Sequence, residues 1–189
     1  METVEIKGIP EKTPEWFEAR RGLVTASDVP AIMGVNPWCT ARDVFLRKIH
    51  GTEFQGNANT ERGKLLEPVI FDRYADGHDD LVRSPGLFVR GHLGASPDAY
   101  HAAGRVPVEI KAPRSLSRLE DKTDLYRWQV ICQAWVLGGD RRGVLVYGNT
   151  RRNVVEELTF SAEEMAVMEY RTAEFADCLR SGILSLDFW

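Results

Sequence analysis

Ser96-Pro97-Asp98 is followed eleven positions later by Glu109-Ile110-Lys111. In an extended strand, residues two apart share a face, so Glu109 and Lys111 project together while Ile110 turns toward a core. A hairpin or neighbouring strand that sets Asp98 beside Glu109 gathers two carboxylates and one ammonium. Carboxylates that close repel each other unless a cation lies between them. Oxygen-rich sites of this kind suit Mg²⁺ or Mn²⁺. Hydrolysis of a phosphodiester needs an activated nucleophile, a Lewis acid on the phosphoryl oxygen and neutralisation of transition-state charge. Asp98, Glu109, a divalent cation and Lys111 supply all three. The plainer reading is a Glu/Lys pair on a solvated strand with an Asp in a turn after proline, and Glu-x-Lys alone is common. The apolar setting of Val106, Val108 and Ile110 favours the metal reading.

Other chemistries lack their residues. There is no Gly-x-Ser-x-Gly elbow and no Gly-x-x-x-x-Gly-Lys-Ser/Thr loop, which argues against serine hydrolase and ATPase activity. A carbohydrate-cleaving carboxylate pair would have no use for Lys111. Cys39, Cys132 and Cys178 are widely spaced and odd in number, as expected of reduced thiols in a cytoplasmic protein. His50, His78, His92 and His101 show no ligand spacing and are expected to be solvated. Tryptophans can stack on bases, but Trp16 and Trp135 are expected to pack in the core.

The elements that must position the site follow from caps and periodicity. Thr13-Pro14-Glu15 starts a helix to about Arg21, ended by Gly22. Ser27-Asp28 begins a short helix over Val29–Met33, stopped by Gly34. Thr40 and Asp43 resemble a capping box opening a helix to Ile49. A longer helix covers about Thr60–Tyr74, with Leu66, Val69, Ile70 and Tyr74 on one stripe. The period then changes: Leu81–Arg83, Gly86–Val89 and Val106–Lys111 read as strands. Asp124 is expected to cap a helix over Leu125–Leu137, closed by Gly138-Gly139. Val144–Tyr147 and Val154–Phe160 read as strands, and Ser161 with Glu164 forms a capping box for a helix to about Leu179. No repeat or linker interrupts the pattern, so one α/β domain with a mixed central β-sheet is expected over 1–189.

The chain has 189 residues, 43% hydrophobic and 28% charged, as in an ordinary globular protein with a real core. No apolar run is long enough to cross a bilayer. The N-terminus lacks a basic leader followed by an apolar segment, which with the thiols sets the expectation of a cytoplasmic location. The net charge of −4 argues against a general nucleic-acid coat protein. The charge is uneven, however. Residues 153–189 hold eight acidic and two basic side chains, leaving 22 basic against 20 acidic in residues 1–152. A DNA-facing surface is expected in that larger part.

Taken in order, several segments resemble the lambda-exonuclease and YqaJ-like viral recombinase family of the PD-(D/E)xK nuclease superfamily. They are Trp16-Phe-Glu-Ala-Arg20 through Thr25-Ala-Ser27-Asp28-Val29, Arg62-Gly63-Lys64-Leu-Leu-Glu67-Pro68, Gly94-Ala-Ser-Pro-Asp98, Glu109-Ile-Lys111-Ala-Pro113 and Tyr126-Arg-Trp-Gln129-Val. The similarity spans about residues 13–148. It implies a restriction-endonuclease-like α/β fold, a mixed central β-sheet flanked by helices. The implied activity is Mg²⁺-dependent 5′→3′ digestion of one strand of linear double-stranded DNA, leaving a 3′ single strand for recombination, with Mn²⁺ able to substitute. It further implies Glu67 and the Ile110 backbone carbonyl as metal ligands beside Asp98 and Glu109, and Gln129 as a group that positions Lys111 or the attacking water.

By the same resemblance, Arg20 and Ser27 grip the 5′-phosphate of the digested strand. A guanidinium forks onto phosphate oxygens, and free N–H groups at a helix start favour an anion. Ser27 could equally be a simple cap, and Arg21 stands beside Arg20 as an alternative ligand. A phage origin, a homotrimeric ring around DNA and a partner single-strand annealing protein are also implied. The sequence departs from the family pattern at Ala99, where glycine is usual, at Ala112, where cysteine is common, and at Ile131, where a second glutamine often stands; Gln133 lies one turn beyond Gln129. The alternatives are an endonuclease of the same fold, with no need of an end-phosphate pocket, and a non-catalytic DNA-end-binding module.

Overall fold

The computed structural model describes residues 4–7, 9, 13–52, 56, 58–116 and 120–188. In chain order its strands are β1 (Val4–Lys7), β2 (Val24–Thr25), β3 (Leu81–Arg83), β4 (Gly86–Arg90), β5 (Leu93–Ala95), β6 (Ala99–His101), β7 (Val106–Lys111), β8 (Arg142–Gly148) and β9 (Asn153–Thr159). Its helices are α1 (Pro14–Arg21), α2 (Val29–Ile32), α3 (Ala41–Ile49), α4 (Ala58–Ala75), α5 (Glu120–Leu137) and α6 (Ala162–Ser181).

Local chemistry sets most helix starts where the sequence placed them. Thr13 Oγ1 accepts from Trp16 N at 3.2 Å, and Pro14 opens α1. Thr40 and Asp43 form a reciprocal box at α3, as Ser161 and Glu164 do at α6. Gly182, at φ 71°, ends α6 in the left-handed conformation that glycine tolerates. Two starts differ from expectation. α5 begins at Glu120, so Asp124 lies inside the helix and not at its cap. Residues 120–123 contain no glycine or proline to stop it. α2 follows Asp28, but Asp28 makes no side-chain cap bond, because its carboxylate is committed elsewhere.

The strands form two sheets, where one was expected. The first, in order β1-β4-β5-β2, is antiparallel except for the parallel β2·β5 pair. The second, in order β3-β6-β7-β8-β9, is mixed: β7 and β8 run parallel and the other pairs are antiparallel. Parallel neighbours need a crossover, and α5 provides it between β7 and β8.

The second sheet lies between two helical layers, and its alternation shows this. Val106, Val108 and Ile110 of β7, with Val144 and Val146 of β8, pack with Ile70, Phe71 and Tyr74 of α4. Leu145 and Tyr147 face the other way, into the core built around Val130, Ile131 and Ala134 of α5 and Met168 and Phe175 of α6. Helix α4 comes so close at Gly148 that a Cβ there would lie 2.6 Å from Ile70. The polar residues of β7 thus point to the α5 side, and α4 closes the opposite face. The resulting mixed sheets flanked by helices are the α/β architecture that was expected.

Candidate active site

Asp98 is the last residue before β6, and β6 pairs with β7 in the antiparallel register Ala99↔Val108. That register brings Asp98 level with the Glu109–Lys111 stretch. Asp98 Oδ2 accepts from Ile110 N at 2.6 Å. Glu109 is 5% exposed, and its Oε1 accepts from Lys111 Nζ at 2.5 Å and from Gln129 Nε2 at 2.7 Å. Lys111 Nζ also reaches Gln129 Oε1 at 3.3 Å and lies 4.8 Å from the centre of the Tyr126 ring. Strand β7 and helix α5 therefore bring Asp98, Glu109, Lys111 and Gln129 into one polar cluster.

The electrostatics of this cluster are unbalanced. Burial pushes the Asp98 carboxyl well above the usual carboxylate range, and the charges of Glu109 and Glu67 add to it. Lys111 and the Ile110 N–H oppose that rise without cancelling it. For Lys111, burial works against the charge, but Glu109 and Asp98 hold the ammonium above its ordinary range. Glu67, on α4 about one turn before Ile70, is near enough for its charge to act on Asp98, and it immediately precedes Pro68, which lies inside the helix.

Among the described residues, no three His, Cys, Asp or Glu side chains are already gathered to ligate an ion. Glu109 is held instead by its ammonium and amide donors, and Asp98 by a backbone N–H. The donor set, carboxylates beside a strand backbone, is that of a hard divalent cation.

A second polar cluster lies around β2. Arg20 stacks its guanidinium 3.8 Å from the Trp16 ring centre and approaches Thr25 Oγ1 at 3.4 Å. Thr25 Oγ1 lies 3.1 Å from Ser27 Oγ. Arg21 instead pairs with Glu18 at 3.4 Å, so of the two arginines it is Arg20 that reaches Thr25. Asp28, 6% exposed, fixes the turn: it accepts from Thr25 N at 2.9 Å and Thr25 Oγ1 at 2.6 Å, and it pairs with Arg47 at 3.1 Å and Lys48 at 3.0 Å. Thr25 is paired with Gly94 on β5, four residues before Asp98. Four residues of chain span at most about 14 Å, so only a short stretch of chain separates β5, where Thr25 pairs, from Asp98.

Sequence reasoning gave no role to Thr25, Asp28, Tyr126 or Gln133, all of which touch these clusters. Only Gln133 carried a local signal, its four-residue spacing from Gln129. The expectation of solvated histidines holds for His50 and for His78, which is exposed although it stacks on Tyr74, and is corrected for the other two. His92 bonds Thr172 Oγ1 at 3.0 Å, and His101 lies between Tyr74 Oη at 2.9 Å and Asp80 at 2.8 Å. These two are drawn in by polar partners far away in the chain, which spacing alone does not reveal. Trp16 is buried and Trp135 packs against the core, as expected. The three cysteines are free.

This layering, with acidic residues and a lysine on paired strands between α4 and α5, defines the class: a restriction-endonuclease-like α/β domain. The sequence profile of the YqaJ-like viral recombinase domain matches residues 15–140, and the chain belongs to that family. Among solved structures it is similar to LHK-Exo, an alkaline exonuclease from Laribacter hongkongensis, at 26% identity and a TM-score of 0.75 over 90% of this chain and 94% of that one. A second structure of LHK-Exo, in complex with dAMP, matches equally well. A phage-related exonuclease from Haemophilus somnus 129PT shares the fold at 14% identity and a TM-score of 0.67, over 85% of this chain and 96% of that one. Among curated proteins, none matches the sequence.

Proposed function

We propose that this chain is a divalent-metal-dependent DNA nuclease that digests one strand of linear duplexes from the 5′ end, leaving a 3′ single strand for recombination. The observation that carries the reading is the joining of Asp98 to the backbone of β7 at Ile110, between Glu109 and its 2.5 Å partner Lys111. Asp98, Glu109, Glu67 and the Ile110 carbonyl would hold Mg²⁺, with Mn²⁺ able to substitute. When bound, the ion supplies Lewis acidity at the phosphoryl oxygen and makes water a better nucleophile at neutral pH.

The chain's own residues do the rest. Lys111 offsets charge that builds on phosphate as water adds to phosphorus and a P–O ester bond breaks, the leaving sugar oxygen taking up a proton. Gln129 holds Lys111 and Glu109 in fixed relation. Arg20 and Ser27, with Thr25 between them, face a terminal phosphate and set the end from which digestion starts. Similarity to LHK-Exo and to the phage-related exonuclease supports an exonuclease over the other activities of this fold. A ring of three chains around the duplex, a single-strand annealing partner, a phage origin and work in the host cytoplasm belong to the same reading. No helix among the described residues is long and apolar enough to cross a membrane.

The deciding experiment offers Mg²⁺ and three substrates: linear duplexes with 5′-phosphate ends, linear duplexes with 5′-hydroxyl ends, and closed circles. Rapid loss of the phosphorylated ends, slower loss of the hydroxyl ends and intact circles are expected. Arg20→Ala should reduce the phosphate preference about tenfold or more, as the loss of a charge-assisted pair implies. Cut circles would instead mark an endonuclease, and end-binding without cleavage under any divalent cation would mark a non-catalytic module.

A further inference from the structure

Gln133 lies on α5 one turn beyond Gln129, and it is 0% exposed. Its Nε2 donates to Glu109 Oε2 at 2.6 Å, while Gln129 Nε2 and Lys111 Nζ both donate to Glu109 Oε1. Residues four apart on a helix are neighbours on one face, so both amides meet one carboxylate. Position 131 is rotated roughly 200° from Gln129 on a 3.6-residue helix, and Ile131 is accordingly buried in the apolar core. Burying an amide is unfavourable unless its groups are bonded. The Oε1 of Gln133 has no hydrogen-bond partner among the described residues, so its N–H bond to Glu109 is what this buried amide contributes.

We propose that Gln133 is a positioning residue that, with Gln129, clamps Glu109 from two successive turns of α5 and selects the oxygen offered to the metal. A carboxylate has about four acceptor directions. Lys111 and Gln129 occupy those of Oε1, and Gln133 occupies one on Oε2, which leaves a single Oε2 direction open. The clamp thus presents Glu109 as a one-oxygen ligand with its plane already fixed. Partners of this kind, one shell out from the metal, tune affinity by about 10- to 100-fold in metal sites. The inference rests on Glu109 being a metal ligand.

The test titrates Mn²⁺ into the DNA-free full chain and counts free ion by electron paramagnetic resonance, for the parent, Gln133→Met and Glu109→Gln. Melting without metal is followed in parallel. Gln133→Met keeps the length of the side chain and loses the donor. It is expected to weaken Mn²⁺ binding by about tenfold or more, and to raise by a similar factor the Mg²⁺ concentration that half-saturates cleavage, with a smaller change in the rate at saturating Mg²⁺. A Gln133→Met chain that melts earlier but binds Mn²⁺ like the parent would show a purely structural role and overturn the proposal. If Glu109→Gln binds Mn²⁺ like the parent, the metal reading itself falls and the proposal with it, a different result from the preceding one. Should Gln133→Met not fold, the parent's own side-chain amide resonances decide. The Gln133 NH₂ signal is expected to move on adding Mg²⁺, and its immobility while other site signals move would count against the clamp.

Discussion

Two desolvated aspartates in this molecule are shifted in opposite directions. For Asp28 burial favours the neutral acid, yet the Lys48 charge and the bonds from Thr25 outweigh it and hold the carboxyl below its ordinary range. For Asp98 burial acts the same way, and the neighbouring charges reinforce it. The difference is one of counterions. Asp28 faces both Arg47 and Lys48. At Asp98 the charges of Glu109 and Glu67 add to burial, and Lys111, which pairs with Glu109, opposes them without cancelling them. At Asp28 the protein's own cations and donors outweigh burial, whereas at Asp98 burial and the neighbouring carboxylates prevail. A raised carboxyl beside two other carboxylates is what the proposed divalent-cation reading asks of Asp98.

The comparison breaks most visibly in catalysis. Asp98→Asn and Lys111→Met are each expected to reduce Mg²⁺-dependent cleavage by about 10²- to 10³-fold, the scale on which removal of one transition-state-stabilising group acts. Asp28→Asn should leave the rate within about tenfold of the parent well below its melting temperature, because Asp28 acts on the turn at Thr25 and on no reacting atom. Equal losses at the two positions would erase the distinction. Stability should respond in the reverse order. Asp28→Asn leaves Arg47 and Lys48 facing an uncharged amide and is expected to cost about 3 kcal/mol, read by denaturant unfolding. Asp98→Asn, which removes a repelled charge, should unfold no earlier than the parent when metal is absent.

The two regions were not equally legible in the sequence. Strand β7 was expected with the bounds it has, because Val106, Val108 and Ile110 alternate with Pro107, Glu109 and Lys111. With it came the facing of Glu109 and Lys111. The caps at Thr13, Thr40 and Ser161 were equally plain, since a cap is a contact over three residues. Strands β1, β2, β5 and β6 were missed. They have two to four residues each, and pairing with distant chain defines them more than their own composition does. Asp28 read as a helix start because its real partner Arg47 lies nineteen residues away. Tyr126 and Thr25 were quoted within motifs and given no role, since their partners become visible only when α5 lies across β7 and α1 folds back on β2.

Metal removal sharpens the contrast with a somewhat smaller effect. Mg²⁺ at a hundred times its dissociation constant should stabilise the parent by about 2.7 kcal/mol through binding to the folded state alone. Chelation should therefore lower the melting temperature of the parent and of Asp28→Asn alike. In Asp98→Asn, most of the Mg²⁺-dependent shift should vanish. A full shift in that variant would place the ion elsewhere.

The smallest effect is the pH dependence of the metal-free protein, and its sign differs between the two aspartates. Asp28 has a folded pKa below its unfolded value of about 3.9, so its contribution is present above that value and is lost as pH falls through the folded pKa. Asp98 has a folded pKa well above the unfolded one, so its contribution is complete below about pH 3.9 and is lost as pH rises through the folded value. Melting curves of the parent against pH without metal should therefore decline on both sides, each side owed in part to one aspartate. Asp28→Asn should soften the acidic decline alone, and Asp98→Asn the decline at higher pH alone. Saturating Mg²⁺ should imitate Asp98→Asn in the parent, because an ion among the three carboxylates removes the repulsion that raised the Asp98 pKa. Were Mg²⁺ to leave the upper limb unchanged, the repulsion that Asp98 feels from Glu109 and Glu67 would not be what the ion relieves.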